Sequence, residues 1–204
     1  NLIINETDHP LIIKVASIPQ TRIQVYFIDN DDYFTKRLMG KDDNGADYED
    51  NGERAIFFAR GVLETVKKLR WIPDVIHCQG WMSAIVPLYI KTAYRDEPSF
   101  SNVKVVTSLF NKDIDGDFGT NLRHFIEFRD ANAEVLSVYP EQLDFNSLSK
   151  IAIDYSDGII EAGSAVDPSL VEYAEGKGIP VLRYPGEDYK AAYKDFFDGI
   201  CGEE

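Results

Sequence analysis

The sequence predicts an α/β protein, a three-layer sandwich built around a mostly parallel sheet. Three observations point there. From residue 52 onward, strand-like and helix-like stretches alternate, the pattern of βαβ units. The stretches over 73–77 and 103–109 are near-continuous apolar runs, as expected of strands covered on both faces. A chain of 204 residues that is 44% hydrophobic can also bury a real core, most simply as one domain spanning residues 1–204.

Taken in order, residues 11–18 and 23–28 read as strands, the second carrying Val25, Tyr26 and Phe27 and stopped by Asp29-Asn30-Asp31-Asp32. Gly40 and Asn44-Gly45 mark turns around an acidic loop over 41–51. Asp50 and Glu53 stand at capping-box spacing ahead of a helix. That helix repeats Ile56, Ala59, Val62, Leu63, Val66 and Leu69 at intervals of three and four, which is one buried face. Pro73 introduces a strand that ends at His77, and an apolar helix is expected over about 82–94. A strand over 103–109 follows, then a partly helical stretch over 122–139 and a helix over 148–155. A short strand over 158–161, a helix over 168–176, a strand over 181–184 and a helix over 187–200 complete the chain.

Charge and cysteine content exclude several functions. Lys and Arg total 21 against 35 acids, a net charge of −14, which argues against nucleic acid or an anionic membrane as partner. No stretch approaches the length of a membrane span. Cys78 and Cys201 lie far apart and suit a reducing cytoplasm better than a disulfide framework.

Candidate sites are few. Asp113, Asp115, Gly116, Asp117 and Gly119 suggest a calcium loop, but Phe118 and His124 stand where its glycine and bidentate glutamate belong. The acids of 29–32 and 41–50 recruit no histidine or cysteine, so no metal is expected. Ser83 lacks a Gly-x-Ser-x-Gly context, and no dinucleotide or phosphate-loop glycine motif occurs, so no cofactor is expected. His9 and His124 have no visible catalytic partner, and Cys78 reads as a small buried residue. His77 is the serious candidate. In an open parallel sheet the carboxyl ends of strands face the ligand crevice, so His77 either organises the turn or faces that crevice.

Several stretches carry a family resemblance. They are Val25-Tyr26-Phe27-Ile28-Asp29-Asn30 with Tyr33-Phe34, then Tyr48, Asp50-Asn51, Glu53-Arg54 and Phe57-Phe58-Ala59-Arg60. Pro73-Asp74-Val75-Ile76-His77 with Trp81, Ala84, Pro87 and Leu88 continues the series, as do Lys104-Val105-Val106-Thr107 with Asn111, and Ala152, Tyr155 and Asp157. Over about residues 11–165 the chain resembles the N-terminal catalytic half of bacterial glycogen and starch synthases, which transfer glucose from ADP-glucose to an α-1,4-glucan. The resemblance implies a Rossmann-like half of a GT-B glycosyltransferase, with the second, nucleotide-binding domain absent from these residues. It implies ADP-glucose or an α-glucan as partner, with His77 as a polar group in the crevice, Gln79 as sugar contact and Asn111 as support.

The departures from the family pattern set the functional expectation. The family's His-x-His-Asp-Trp reads His77-Cys78-Gln79-Gly80-Trp81, its Ile-His-Asn reads Leu109-Phe110-Asn111, and its Val-Ser-Pro reads Glu161-Ala162-Gly163. Glutamine hydrogen-bonds a sugar but carries no proton at neutral pH. A glucosyltransferase domain inactive on its own is therefore expected. The alternative is a non-catalytic relative that binds a glycan, a nucleotide-sugar or a protein. The family's first strand, with its Lys-x-Gly-Gly-Leu loop, has no counterpart before Leu11 unless the short stretch 2–5 supplies it. A rearranged sheet, or a homodimer that closes the open edge, is expected to follow.

Overall fold

The computed structural model describes residues 1–202. Two small antiparallel ribbons come first. β1 (Leu2–Ile4) pairs with β2 (Thr7–His9), and β3 (Ile12–Ser17) pairs with β4 (Gln24–Asp29) in the register Ile12↔Asp29. α1 (Asn51–Lys68) runs from the acidic loop to β5 (Val75–Gln79). A 3-10 turn (Trp81–Ser83) and α2 (Val86–Lys91) lead to β6 (Lys104–Leu109). Two short helices, α3 (Leu122–Ile126) and α4 (Ala133–Leu136), precede α5 (Phe145–Asp154). β7 (Gly158–Glu161), α6 (Pro168–Gly176), β8 (Val181–Leu182) and α7 (Tyr189–Cys201) follow.

The main sheet is parallel in the order β5-β6-β7-β8, as the alternation of elements requires. Ile76 and Cys78 on β5 and Val105 on β6 join the core beneath α1, α2 and α5. Ile159 on β7 packs with Ile153, Leu170, Val171 and Ala174 under α5 and α6. The opposite face, which carries His77, Ser108 and Gly158, is covered by α7. Three layers result, the outer one a single helix with no buried residue. Among the described residues, no helix is long and apolar enough to cross a membrane.

The sheet is rearranged, as the missing first strand led us to expect. The β3–β4 hairpin forms its own sheet, and among the described residues no ladder joins it to β5. The stretch 2–5 does not fill the space, because β1 and β2 form a two-stranded sheet of their own.

Several local expectations give way to the structure. The helix expected over 82–94 divides, because Pro87 inside it would clash with the carbonyl four residues earlier; the chain instead restarts at α2 with Pro87 in its first turn. Only α3 and α4 form within 122–139. The strand expected over 181–184 stops at Leu182. Leu69, expected on the buried face, lies beyond the helix end and is 49% exposed. The capping box does not form. Asp50 makes no cap hydrogen bond and is bidentate to Arg37 instead, at 2.7 and 2.5 Å. Glu53 accepts from the Tyr33 hydroxyl at 3.1 Å, and that hydroxyl also meets His9 Nε2 at 3.0 Å.

The loop between β4 and α1 is held by Arg54, which is 2% exposed. Its Nε donates to the Tyr33 carbonyl at 2.9 Å, Nη1 to the Met39 carbonyl at 2.7 Å and Asn51 Oδ1 at 2.8 Å, and Nη2 to the Leu38 carbonyl at 2.9 Å. A guanidinium is suited to this because its donors form a rigid planar fork. Replacing Arg54 with methionine strands three carbonyls, so the Arg54→Met variant should lose about 3–5 kcal/mol in urea unfolding. Arg54→Lys should recover little of that loss, since one ammonium cannot reach acceptors spread around the fork.

Candidate functional site

The carboxyl ends of β5 and β6 open onto a pocket of about 190 Å³. Gly80, Trp81 and Ala84 wall it on one side, Thr107 to Asn111 on another, and Phe145, Ser149 and Ala152 of α5 on the third, with Asp113 at its rim. The turn out of β5 is built by small residues. Ser83 Oγ donates to the carbonyls of Gln79 and Gly80, both at 3.0 Å, and so closes the strand-to-helix turn. Gly80 itself sits at φ 77° and ψ 172°, a backbone region that is essentially glycine-only. α5 opens with Asp144 accepting from the Ser147 amide at 2.8 Å, which fixes the third wall.

The residues singled out from sequence separate here. Asn111 and Phe110 line the pocket, and Gly80 lines it through its backbone. Gln79 is exposed at the strand end, one residue short of the lining. His77 does not line the pocket, because strand alternation turns it onto the α7 face. Its Nε2 lies 2.7 Å from Ser108 Oγ, with the Phe197 ring 5.2 Å and the Tyr193 ring 6.4 Å away, centroid to centroid. Burial there pulls its pKa below the ordinary 6.5. Cys78 is buried on the core face, and that burial pushes its thiol up to about 12.

The acidic loops have structural partners. Asp47 Oδ2 accepts from the backbone amides of Asp115 and Gly116 at 3.0 and 2.8 Å, and Lys41 pairs with Asp115. Asp42 Oδ1 caps its own turn by accepting from Asn44 and Ala46. Among the described residues, no group of three His, Cys, Asp or Glu is arranged to hold a metal ion. A larger cleft of about 910 Å³ lies between the β3–β4 hairpin and α1, lined by Ile13, Val15, Tyr26, Arg60 and Lys68 among others. None of its lining belongs to the ends of β5 or β6.

Sequence reasoning missed two parts of the pocket. Trp81 is 5% exposed, and its indole Nε1 is buried without a hydrogen-bond partner. Ser149, also buried, reaches the wall only because Asp144 sets the start of α5. A polar position on the inner face of a helix is the one signal that could have marked it. Among the described residues, those that line the pocket include no lysine or arginine.

Two outcomes follow. A side chain at position 80 must tolerate the positive φ, so Gly80→Asp should cost about 1–3 kcal/mol in unfolding. His77, with its folded pKa below 6.5, is protonated more readily in the unfolded chain. Its contribution is full above that pH, and stability is lost as pH falls from 6.5 towards the folded value. An NMR titration of the His77 ring should give a midpoint below 6.5, and His77→Gln should flatten that part of the stability profile.

Comparison with known proteins gives a single answer. The family model for the starch synthase catalytic domain matches residues 3–173. The glycogen synthase of Chlorobaculum parvum is 32% identical over 198 residues, 97% of this chain and 38% of that protein. The glycogen synthase of Chlorobium limicola is 43% identical over 102 residues, half of this chain and 21% of that protein. The chain thus spans well under half the length of these relatives. Among solved structures, the catalytic domain of starch synthase IV from Arabidopsis thaliana, bound to ADP and acarbose, superposes with a TM-score of 0.66 at 13% identity, over 89% of this chain and 38% of that one. That likeness supports the fold, and the sequence match over residues 3–173 carries the family: the chain belongs to the starch synthase catalytic domain family.

Proposed function

We propose that this chain forms the sugar-facing half of a glycogen synthase-type crevice, binding an α-glucan or the glucose of ADP-glucose, and that it does not transfer glucose on its own. The observation that carries the reading is the pocket at the ends of β5 and β6, lined by Asn111 and flanked by Gln79, in a chain of this family. Gln79 and Asn111 offer amides that donate to and accept from sugar hydroxyls. His77 contributes from beneath as a positioning residue, fixing Ser108 at the strand end.

The case against turnover is chemical. Glucosyl transfer from a nucleotide needs placed positive charge on the departing phosphate. The pocket lining supplies none, and a neutral, hydroxyl-rich ligand suits it better than a diphosphate. Gly80 stands where the family motif carries an aspartate, in a conformation that disfavours one. The non-catalytic reading, a glycan-binding relative, is favoured by these same two observations. In either case the protein is assigned to the cytoplasm, and the open edge of β5 is closed by a second copy to give a homodimer.

Incubation of the purified chain with labelled ADP-glucose and glycogen should give no incorporation, and incorporation above a no-enzyme control would refute the inactive reading. Maltotriose should nonetheless bind. Gln79→Ala and Asn111→Ala should each weaken that binding by about five- to tenfold, the value of one hydrogen bond. Sedimentation should give the mass of two chains, and a monomer at all accessible concentrations would remove the dimer.

A further inference from the structure

We infer that the cleft between the β3–β4 hairpin and α1 is a docking groove for an amphipathic helix of a partner protein, apolar on one face and acidic on the other. Its lining shares no residue with the pocket at the ends of β5 and β6, and nothing in it depends on sugar binding.

The apolar wall comes from strand alternation. The register pairs Ile13 with Ile28 and Val15 with Tyr26, which puts these four side chains, with Leu11, on one face of the hairpin. At its base that face rests on α1 at Gly61. A Cβ built there would come within 2.8 Å of Ile28 Cγ2 and 3.0 Å of Leu11 Cδ1, so only a glycine allows so close an approach. Leu11 and Ile28 accordingly pack against the main core, whereas Ile13, Val15 and Tyr26 do not join it. Val15 is 54% exposed. A two-stranded ribbon is marginal in water unless a helix or further strands cover its apolar face. Here α1 covers one end of it, and the rest overhangs the cleft.

The facing wall is cationic. Arg60, Lys67 and Lys68 line it from α1 and Arg129 from the segment after α3, and among the described residues Glu64 is the one carboxylate of the lining. The chain as a whole carries 21 cations against 35 acids, so this lining reverses the charge of the molecule. Glu64 is engaged by the Tyr94 hydroxyl at 2.6 Å, and Glu97 pairs with Lys67 at 2.8 Å and Arg129 at 3.6 Å. Among the described residues, Arg60 and Lys68 form no ion pair.

The distribution of charge selects the occupant. From Arg60 to Lys68 the helix rises about 12 Å, so positive charge is spread along the groove and not gathered at one end. An apolar molecule with a single anionic head would leave most of that charge unmatched. A helix with carboxylates along one face and apolar side chains along the other meets both walls at once. The cleft volume of about 910 Å³ equals the liquid share of roughly thirty waters, which is room for backbone as well as side chains.

The probe is a fluorescently labelled synthetic peptide of about 15 residues, with leucines at i, i+3, i+4 and i+7 and glutamates on the opposite face. It should bind the chain saturably, one to one, gain helical circular dichroism on binding, and bind more weakly as salt is raised. A matched peptide with lysine in place of every glutamate should bind about tenfold more weakly or not at all. Lys68→Glu alters an exposed side chain and should weaken the acidic peptide about fivefold. Val15→Thr keeps a branched strand residue but removes one apolar methyl group, and should weaken it about fourfold. Both variants should unfold at the urea midpoint of the parent chain. Failure of the acidic peptide to bind, or binding unchanged in both variants, overturns the groove. Equal binding of the lysine peptide would mark apolar adhesion alone and overturns it too. Self-association of the chain that both variants abolish would make a second copy the occupant, and sinks the partner helix.

Discussion

A buried guanidinium without a carboxylate partner is the interaction on which the candidate site depends. Arg54 lies in the first turns of α1 and reaches into the loop from Tyr33 to Asn51, where it binds three backbone carbonyls and one amide oxygen. Burial lowers its pKa, and nearby Arg37 adds to that while Asp50 opposes it. Arginine stays charged at any physiological pH even so, and carbonyl dipoles with the Tyr48 ring at 5.1 Å replace its lost hydration. Asn51 extends the network by donating to the Gly40 carbonyl at 2.8 Å. Gly40 then packs on Trp81, and Trp81 is a wall of the pocket. The geometry of a site at the end of β5 is therefore set by a residue on a different helix, through a loop that touches no ligand position itself.

This explains which parts of the molecule were legible in the sequence. The parallel strands were, because a strand covered on both faces is largely apolar, and 103–109 carries Val103, Val105, Val106 and Leu109. The buried face of α1 was legible for the same reason, since Ile56, Ala59 and Leu63 repeat at helical spacing. The loop over 33–51 was not. Its surface acids dominate its composition, while the group that organises it is a cation supplied from α1. Asp50 and Glu53 show the same problem in miniature. Their spacing suits a cap, but Arg37 and Tyr33 are better partners once the loop has folded back. The α2 boundary was available in principle, since Pro87 forbids one continuous helix.

At the site itself, the sequence located the strand end but not the facing of its residues. Alternation places His77 and Gln79 on one face of β5 and Ile76 and Cys78 on the other. Which face meets the crevice depends on what covers the sheet, and that is decided by α7, more than a hundred residues away in the chain. With α7 in place, His77 is a neutral partner of Ser108 under two aromatic rings, and Gln79, on the same face of β5, stands exposed at the strand end beside the pocket that Asn111 and Trp81 line.

The open edge of β5 and the thin third layer belong to the same account. A parallel strand is normally enclosed by neighbours and by helices on both faces. Here β5 pairs on one side only, the hairpin beside it forms a separate sheet, and α7 covers the far face without burying any of its own residues. The apolar side chains of Trp71 and Ile72, at the approach to β5, are 55% and 67% exposed. Exposed apolar surface beside an unpaired strand edge is where association is favoured, through ladder hydrogen bonds and apolar burial together. The pocket, by contrast, is braced from the other side by α1, the Arg54 loop and α5, all within the larger core. The pocket and the exposed edge thus lie on opposite flanks of β5. A change at the edge leaves Trp81 in place, whereas a change at Arg54 reaches Trp81 through Asn51 and Gly40 without touching the edge.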